Sequence, residues 1–238
     1  MRDVTHFIGI LSDDPEAGKT TTTLNLSSLL AQAGHRTLLV DGAETPEASR
    51  RLGHVGPFAG SLRADGALPV ERKPDLSFLP LTCAETKRLE AFDGASFRAS
   101  CRDLDYVIFD LPSVSEGKGR YLEALDRVII LILQPRFSLQ RLAGTLNVIT
   151  DIKGSVNPEL IIEGVLFTQA DRRLEEFERG MKAAQAHFPV DIFQFAIPRD
   201  DVYGDIDAVG TFEVDVALTS RATRGYVELA MEVLTNDR

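Results

Sequence analysis

Residues 6–20, HFIGILSDDPEAGKT, decide the architecture of this chain. HFIGIL is a short β-type run, residues 12–17 are polar and contain a proline, and Gly18-Lys19-Thr20 opens a segment with helical spacing. In that segment Leu24, Leu26, Leu29 and Leu30 lie on a broad apolar face. A strand that turns through glycine into a helix is the context in which Gly-Lys-Thr acquires chemical meaning. Gly18 lets a backbone approach a phosphate, Lys19 brings a cation to it, and Thr20 can offer its hydroxyl to Mg²⁺. The helix N-terminus adds unpaired amides and the positive end of its dipole. The pattern departs from the full motif at Asp13, where its first glycine belongs. Gly-Lys-Thr also begins ordinary exposed helices, so a second feature has to decide.

That feature lies further along. TLLV (37–40), LSFLP (76–80), YVIFD (106–110), RVIILIL (127–133) and LIIEGVLF (160–167) alternate with helical stretches. Such alternation predicts a mostly parallel central sheet with helices on both faces, a three-layer α/β/α sandwich in one domain spanning 1–238. The first helix should run from about Thr20 to Ala33 and close at Gly34, a natural residue just past a helix end. Residues 53–75, rich in Gly, Pro and Ala, predict a long surface excursion, and the last helix is expected over 221–234. Asp110 ends YVIFD, which places its carboxylate at the carboxyl edge of the sheet, where open α/β sheets bind ligands. There it reads as a Walker-B type aspartate holding Mg²⁺ through water. The competing reading is a strand-end aspartate that caps the next turn.

Composition narrows the field. The 238 residues carry 26 Lys+Arg against 36 Asp+Glu, a formal charge of −10 that opposes non-specific approach to DNA or anionic lipid. Cys83 and Cys101, and His6, His35, His54 and His187, are scattered without metal-ligand spacing. No run approaches the roughly 20 apolar residues of a membrane span. The N-terminal apolar stretch is too short for a signal segment, so the expected location is cytoplasmic.

The motifs together resemble the ParA/Soj branch of the ParA/MinD (deviant Walker A) P-loop ATPases. GKTTTTLNLSSLLAQAGHRTLLVD (18–41) is similar to that family's GKTTTAxNLAxxLAxxGxRVLLxD, and LDYVIFDLPS (104–113) to its DYxxIDxPPS. IIEGVLFTQAD (161–171), AIPRDDVYGDI (196–206) and SRATRGYVELAMEVL (220–234) continue the likeness. The resemblance implies ATP or ADP with Mg²⁺ as cofactors. It implies that Ala17, Gly18, Lys19, Thr20 and Thr21 hold the phosphates, that Thr20 and Asp110 serve the metal, and that Lys19 and Asp41, in the first switch, serve catalysis. Thr168, Gln169, Pro198 and Arg199 would frame the adenine.

The departures carry information too. In the family's KGGxGKT loop, the lysine that reaches the partner subunit's nucleotide corresponds here to Asp14, and two glycines to Pro15 and Glu16. Pro15 removes an N–H from the cradle. The first switch, DxDPQ, becomes DGAET (41–45), with Ala43 in place of an aspartate. Groups of the arginine-finger kind supply on the order of 10³–10⁵ in rate, whereas one charge-assisted hydrogen bond contributes roughly 1.5–3 kcal/mol to binding. The expectation is a nucleotide binder with weak or lost hydrolysis, so whether the chain acts as an enzyme stays open.

The resemblance further implies a nucleotide-dependent homodimer and a protein partner or cargo adaptor. The positions expected to supply DNA-binding cations are Glu178 and Val202, and Arg172, Arg173, Arg179 and Lys182 read as a solvated helix face, which disfavours DNA. Tyr226, Leu229, Ala230 and Val233 read as the inner face of a packed helix, not a membrane anchor. Three alternatives remain. One is an active DNA-partition ATPase. Another is a relative of the capsule-export tyrosine kinases, which share Ser12, Pro15, Gly18, Lys19 and Thr20 but end in a tyrosine cluster. The third is a scaffold that has lost nucleotide, favoured by Asp13, Asp14 and Glu16.

Overall fold

The computed structural model describes residues 4–43, 45–54, 63–81, 92–112, 120–201, 203 and 210–236. Cys83, Val202 and residues 55–62 of the Gly- and Pro-rich stretch lie outside them. Eight strands form one sheet: β1 (His6–Leu11), β2 (Thr37–Asp41), β3 (Leu68–Val70), β4 (Lys73–Pro80), β5 (Tyr106–Asp110), β6 (Arg127–Leu133), β7 (Ile161–Ala170) and β8 (Ile192–Pro198). Their order is β3-β4-β2-β5-β1-β6-β7-β8, parallel throughout except where β3 runs antiparallel to β4. The helices are α1 (Lys19–Gln32), α2 (Glu47–Arg51), α3 (Gly94–Ser100), α4 (Leu139–Ser155), α5 (Glu175–His187), α6 (Glu213–Val216) and α7 (Arg221–Asn236).

The central strands are apolar in both phases because both sheet faces are covered. Phe7, Leu11, Val107, Phe109, Val128 and Ile130 feed one core, with Phe97, Leu142 and Phe177 from the helices. Ile8, Ile10, Ile108, Ile129 and Leu131 feed the other, with Leu24, Leu30, Tyr226 and Val233. Parallel strands need this double cover, since their crossovers place helices on each side.

Helix α1 is more enclosed than its leucine stripe predicts. Thr22, Thr23, Asn25, Ser27 and Ser28 are buried as well as Leu24, Leu26 and Leu30, because α7, itself packed on β8, and α6 pack against the helix in addition to the sheet. Most of these polar groups have partners. Thr23 Oγ1 donates to the Lys19 carbonyl (2.9 Å), and Asn25 Nδ2 donates to the Thr21 carbonyl (2.8 Å) and to Glu213 (2.9 Å). Gly34, at φ 89°, turns the chain out of α1 towards β2, as expected. Tyr226, Leu229, Ala230 and Val233 form the buried face of α7.

Two strands are additional to those expected. β3 is three residues long and contains Pro69, tolerable because the strand lies at the sheet edge. β8 closes the opposite edge, with Gln194 exposed in its middle.

Candidate functional site

The site lies at the carboxyl edge of the sheet. Asp41 and Asp110 end adjacent parallel strands in direct register, and both are fully buried. Between β1 and α1, residues 12–18 pass over this edge. Gly18 caps α1 in the left-handed region (φ 80°, ψ 34°), a conformation that costs other L-residues roughly 1–2 kcal/mol. Beyond it the first-turn amides of α1 have no intrahelical carbonyl to bind. Thr20 Oγ1 donates to Asp110 Oδ2 at 2.6 Å, while Asp110 Oδ1 is buried with no hydrogen-bond partner among the described residues. Asp41 Oδ2 accepts from the Ser49 amide (2.9 Å) and hydroxyl (2.6 Å), which ties β2 to α2.

Burial and the neighbouring Asp41 push the Asp110 carboxyl up to about 7, against the opposing pull of the Thr20 hydrogen bond and the Lys19 ammonium. A divalent cation would relieve this congestion of negative charge. The orphaned Asp110 oxygen, the Thr20 hydroxyl and the adjacent cleft fit Mg²⁺, which prefers few protein oxygens supplemented by waters and phosphates. The cleft has a volume of about 670 Å³ and is lined by Asp13, Glu16, Gly18, Lys19, Thr20 and Thr21, together with Ala43 and Glu47.

Asp14 is turned away from that cleft. It is 6% exposed and faces Arg141 (3.0 Å) and Arg136 (3.4 Å), whose guanidinium also meets Glu16 at 2.7 Å. Asp14 organises the loop from within. Its Oδ1 accepts from the Glu16 amide (3.0 Å), its carbonyl accepts from the Ala17 amide (3.1 Å), and its own amide donates to Ser12 Oγ (3.1 Å). With Pro15 lacking an N–H, the amides turned towards the cleft are left to the helix end. Of the three loop carboxylates, Asp13 and Glu16 line the cleft, and Asp14 lines a small cavity beside Arg136 and Arg141.

On the β7–β8 side a second cleft, of about 690 Å³, is lined by Ala17, Thr21, Thr168, Gln169, Pro198, Arg199, Tyr203 and Tyr226. The loop and this wall are stapled together. The buried Thr168 hydroxyl donates to the Ala17 carbonyl (2.9 Å), and Gln169, at φ 48°, donates from Nε2 to the Glu16 carbonyl (2.8 Å). Geometry thus brings Thr168 and Gln169 onto the loop itself, 151 and 153 residues away in sequence.

The cations in and just before α5 are interleaved with acids: Arg173, in the turn that precedes the helix, pairs with Asp171 (2.7 Å), and Lys182 within it with Glu178 (3.7 Å). The fold nevertheless gathers Arg172, Arg173, Arg199, Arg221 and Arg224 around a cleft of about 540 Å³, together with Asp171, Asp201 and Glu228. Sequence spacing concealed this convergence. No helix among the described residues is long and apolar enough to cross a membrane.

Comparison with known proteins identifies the family and the fold. Residues 8–211 match the family described as CobQ/CobB/MinD/ParA nucleotide binding domain. Chromosome partitioning protein ParA of Caulobacter vibrioides is 28% identical over 253 residues, covering 97% of this chain and 94% of that protein. Chromosome-partitioning ATPase Soj of Thermus thermophilus is 28% identical over 242 residues, covering 95% and 94%. Among solved structures, cobyrinic acid a,c-diamide synthase from Mycobacterium smegmatis with bound ATP analog and magnesium superposes with a TM-score of 0.77, at 20% identity over 97% of this chain and 95% of that one.

Proposed function

Because the chain belongs to the CobQ/CobB/MinD/ParA nucleotide binding domain family, we propose that it is an ATP-responsive, dimeric positioning or partitioning factor with weak or lost hydrolysis. The observation that carries this reading is the Thr20–Asp110 hydrogen bond beside the orphaned Asp110 oxygen. A scaffold without nucleotide gains nothing from a buried carboxylate held at such a cost, whereas a Mg²⁺-nucleotide site requires it.

In this reading Gly18, Lys19, Thr20 and Thr21 hold the phosphates through the helix-end amides and the lysine ammonium. Ala17 shapes the loop under the restraint of Thr168, and Gln169, Pro198 and Arg199 wall the base. Mg²⁺, when bound, would offset the negative charge of Asp110, Asp41 and the triphosphate together. Asp41 sets the position of α2 through Ser49. Ala43 offers no carboxylate to orient a water at the phosphate cleft, which supports slow turnover. The names of the ParA and Soj relatives support a partitioning role; a cytoplasmic location and action through a cargo or partner protein are part of the same proposal.

ATP turnover measured beside a Lys19→Ala control tests the proposal. We expect ATP to bind in a Lys19-dependent way with almost no hydrolysis; robust Lys19-dependent hydrolysis refutes the weak-turnover part. A second reading, a DNA-partition ATPase, is favoured by the arginine-lined cleft. It requires ATP-dependent, salt-sensitive DNA binding, and a flat DNA titration dismisses it.

A further inference from the structure

We infer that Arg136 and Arg141 are positioning residues of the nucleotide site, acting through Asp14 and Glu16 to offset the charge of those two carboxylates and hold the phosphate loop in shape. The inference rests on the nucleotide reading above. Three carboxylates, Asp13, Asp14 and Glu16, lie in four residues at the mouth of a proposed triphosphate site, where their summed charge repels the ligand. Two guanidiniums from outside the loop answer two of them, Asp14 and Glu16. Arg136 ends a short 3₁₀ turn directly after β6, and Arg141 lies in the first turn of α4. Arg136 spans Asp14 and Glu16, and Arg141 pairs with Asp14 Oδ2 as well.

The placement of Arg141 is informative in itself. A cation in the first turn of a helix opposes the helix dipole, so α4 gains nothing from it locally. The benefit lies in the loop. Asp14 supplies three of the loop's internal hydrogen bonds, to the amides of Glu16 and Ala17 and from its own amide to Ser12. Freed of its arginines, that carboxylate would swing towards water, release the Glu16 turn and add its charge to the cleft. Arg136 and Arg141 are about half exposed, so the clamp can respond to salt.

Calorimetric titration of the full chain with MgATP, MgADP and AMP tests the clamp. Replacing both arginines (Arg136→Ala with Arg141→Ala) should weaken MgATP about tenfold, the scale of one uncompensated charge near a phosphate, with MgADP losing less and AMP least. The lysine pair, Arg136→Lys with Arg141→Lys, should restore most of the affinity. Adding Asp14→Asn to the alanine pair should do the same. If the alanine pair unfolds in circular dichroism, the single alanine variants report the same gradient from ATP to AMP. Unchanged MgATP affinity, or an equal loss for all three nucleotides, overturns the clamp while leaving the nucleotide reading intact. Absence of binding by wild type and by Lys19→Ala alike overturns both.

Discussion

Glu213 offers the sharpest test of how α1 is held. It lies in the short helix α6, is 1% exposed, and accepts from Asn25 Nδ2 of α1 at 2.9 Å. Its other oxygen meets Arg51 of α2 at 2.5 Å, a charge contact whose N–H directions do not align as a hydrogen bond. The Arg51 side chain is only 10% exposed. Glu213→Leu therefore strands a buried guanidinium, which costs roughly 3–5 kcal/mol. Arg51→Met strands the carboxylate instead, although Asn25 still donates to it. Removing both charges together, Arg51→Met with Glu213→Leu, should cost far less than the sum, because Asn25 keeps its bond to the Thr21 carbonyl (2.8 Å) and no unpaired charge remains. Urea unfolding of wild type, the two single variants and the double variant gives the coupling energy directly. We expect at least about 2 kcal/mol. Single-variant costs that add to within about 0.5 kcal/mol would refute the view that this pair is a buried, mutually dependent clasp between α1, α2 and α6.

Two further outcomes follow from the site. Gly18→Ala should destabilise the fold by roughly 1–2 kcal/mol, because the φ of 80° at that residue strains an alanine, and thermal melts would read the loss. Asp110→Asn should stabilise the Mg²⁺-free protein at pH 8. The Asp110 carboxyl titrates near 7 in the fold against about 3.8 when unfolded, so the fold favours its protonated form. Wild-type stability from this group is full below about 3.8, falls as pH rises towards 7 and stays low above it. The advantage of asparagine should reach a few kcal/mol at pH 8, at about 1.4 kcal/mol per unit, and shrink towards pH 4. Urea midpoints at the two pH values decide it, and a pH-independent difference would contradict the assignment.

The parallel core was legible because β1, β5 and β6 are apolar in both phases, a pattern that only a doubly covered sheet produces. Gly18, Lys19, Thr20 and Asp110 were legible because the β1–helix junction and the end of YVIFD locate them at one edge whatever the rest of the fold does. β8 was harder to read: Gln194 and Pro198 interrupt its apolar run, and only its place at the sheet edge makes them tolerable. The charge reversal at Asp14 was visible, but its answer was not. Arg136 and Arg141 lie 122 and 127 residues away, and nothing in their local sequence marks them as partners. The same holds for Thr168, whose side chain proves to hold the loop backbone. Elements written in local periodicity can be read from one sequence; long-range polar pairs are created by the fold and become visible only with it.

The enclosure of α1 has a consequence for motion. A rod packed against the sheet and also against α6 and α7 cannot slide or tilt without disturbing both sets of contacts. Its amides should therefore be among the slowest to exchange with deuterated solvent, close to the limit set by global unfolding. Helix α1 would then be the fixed post about which any other part of the site moves.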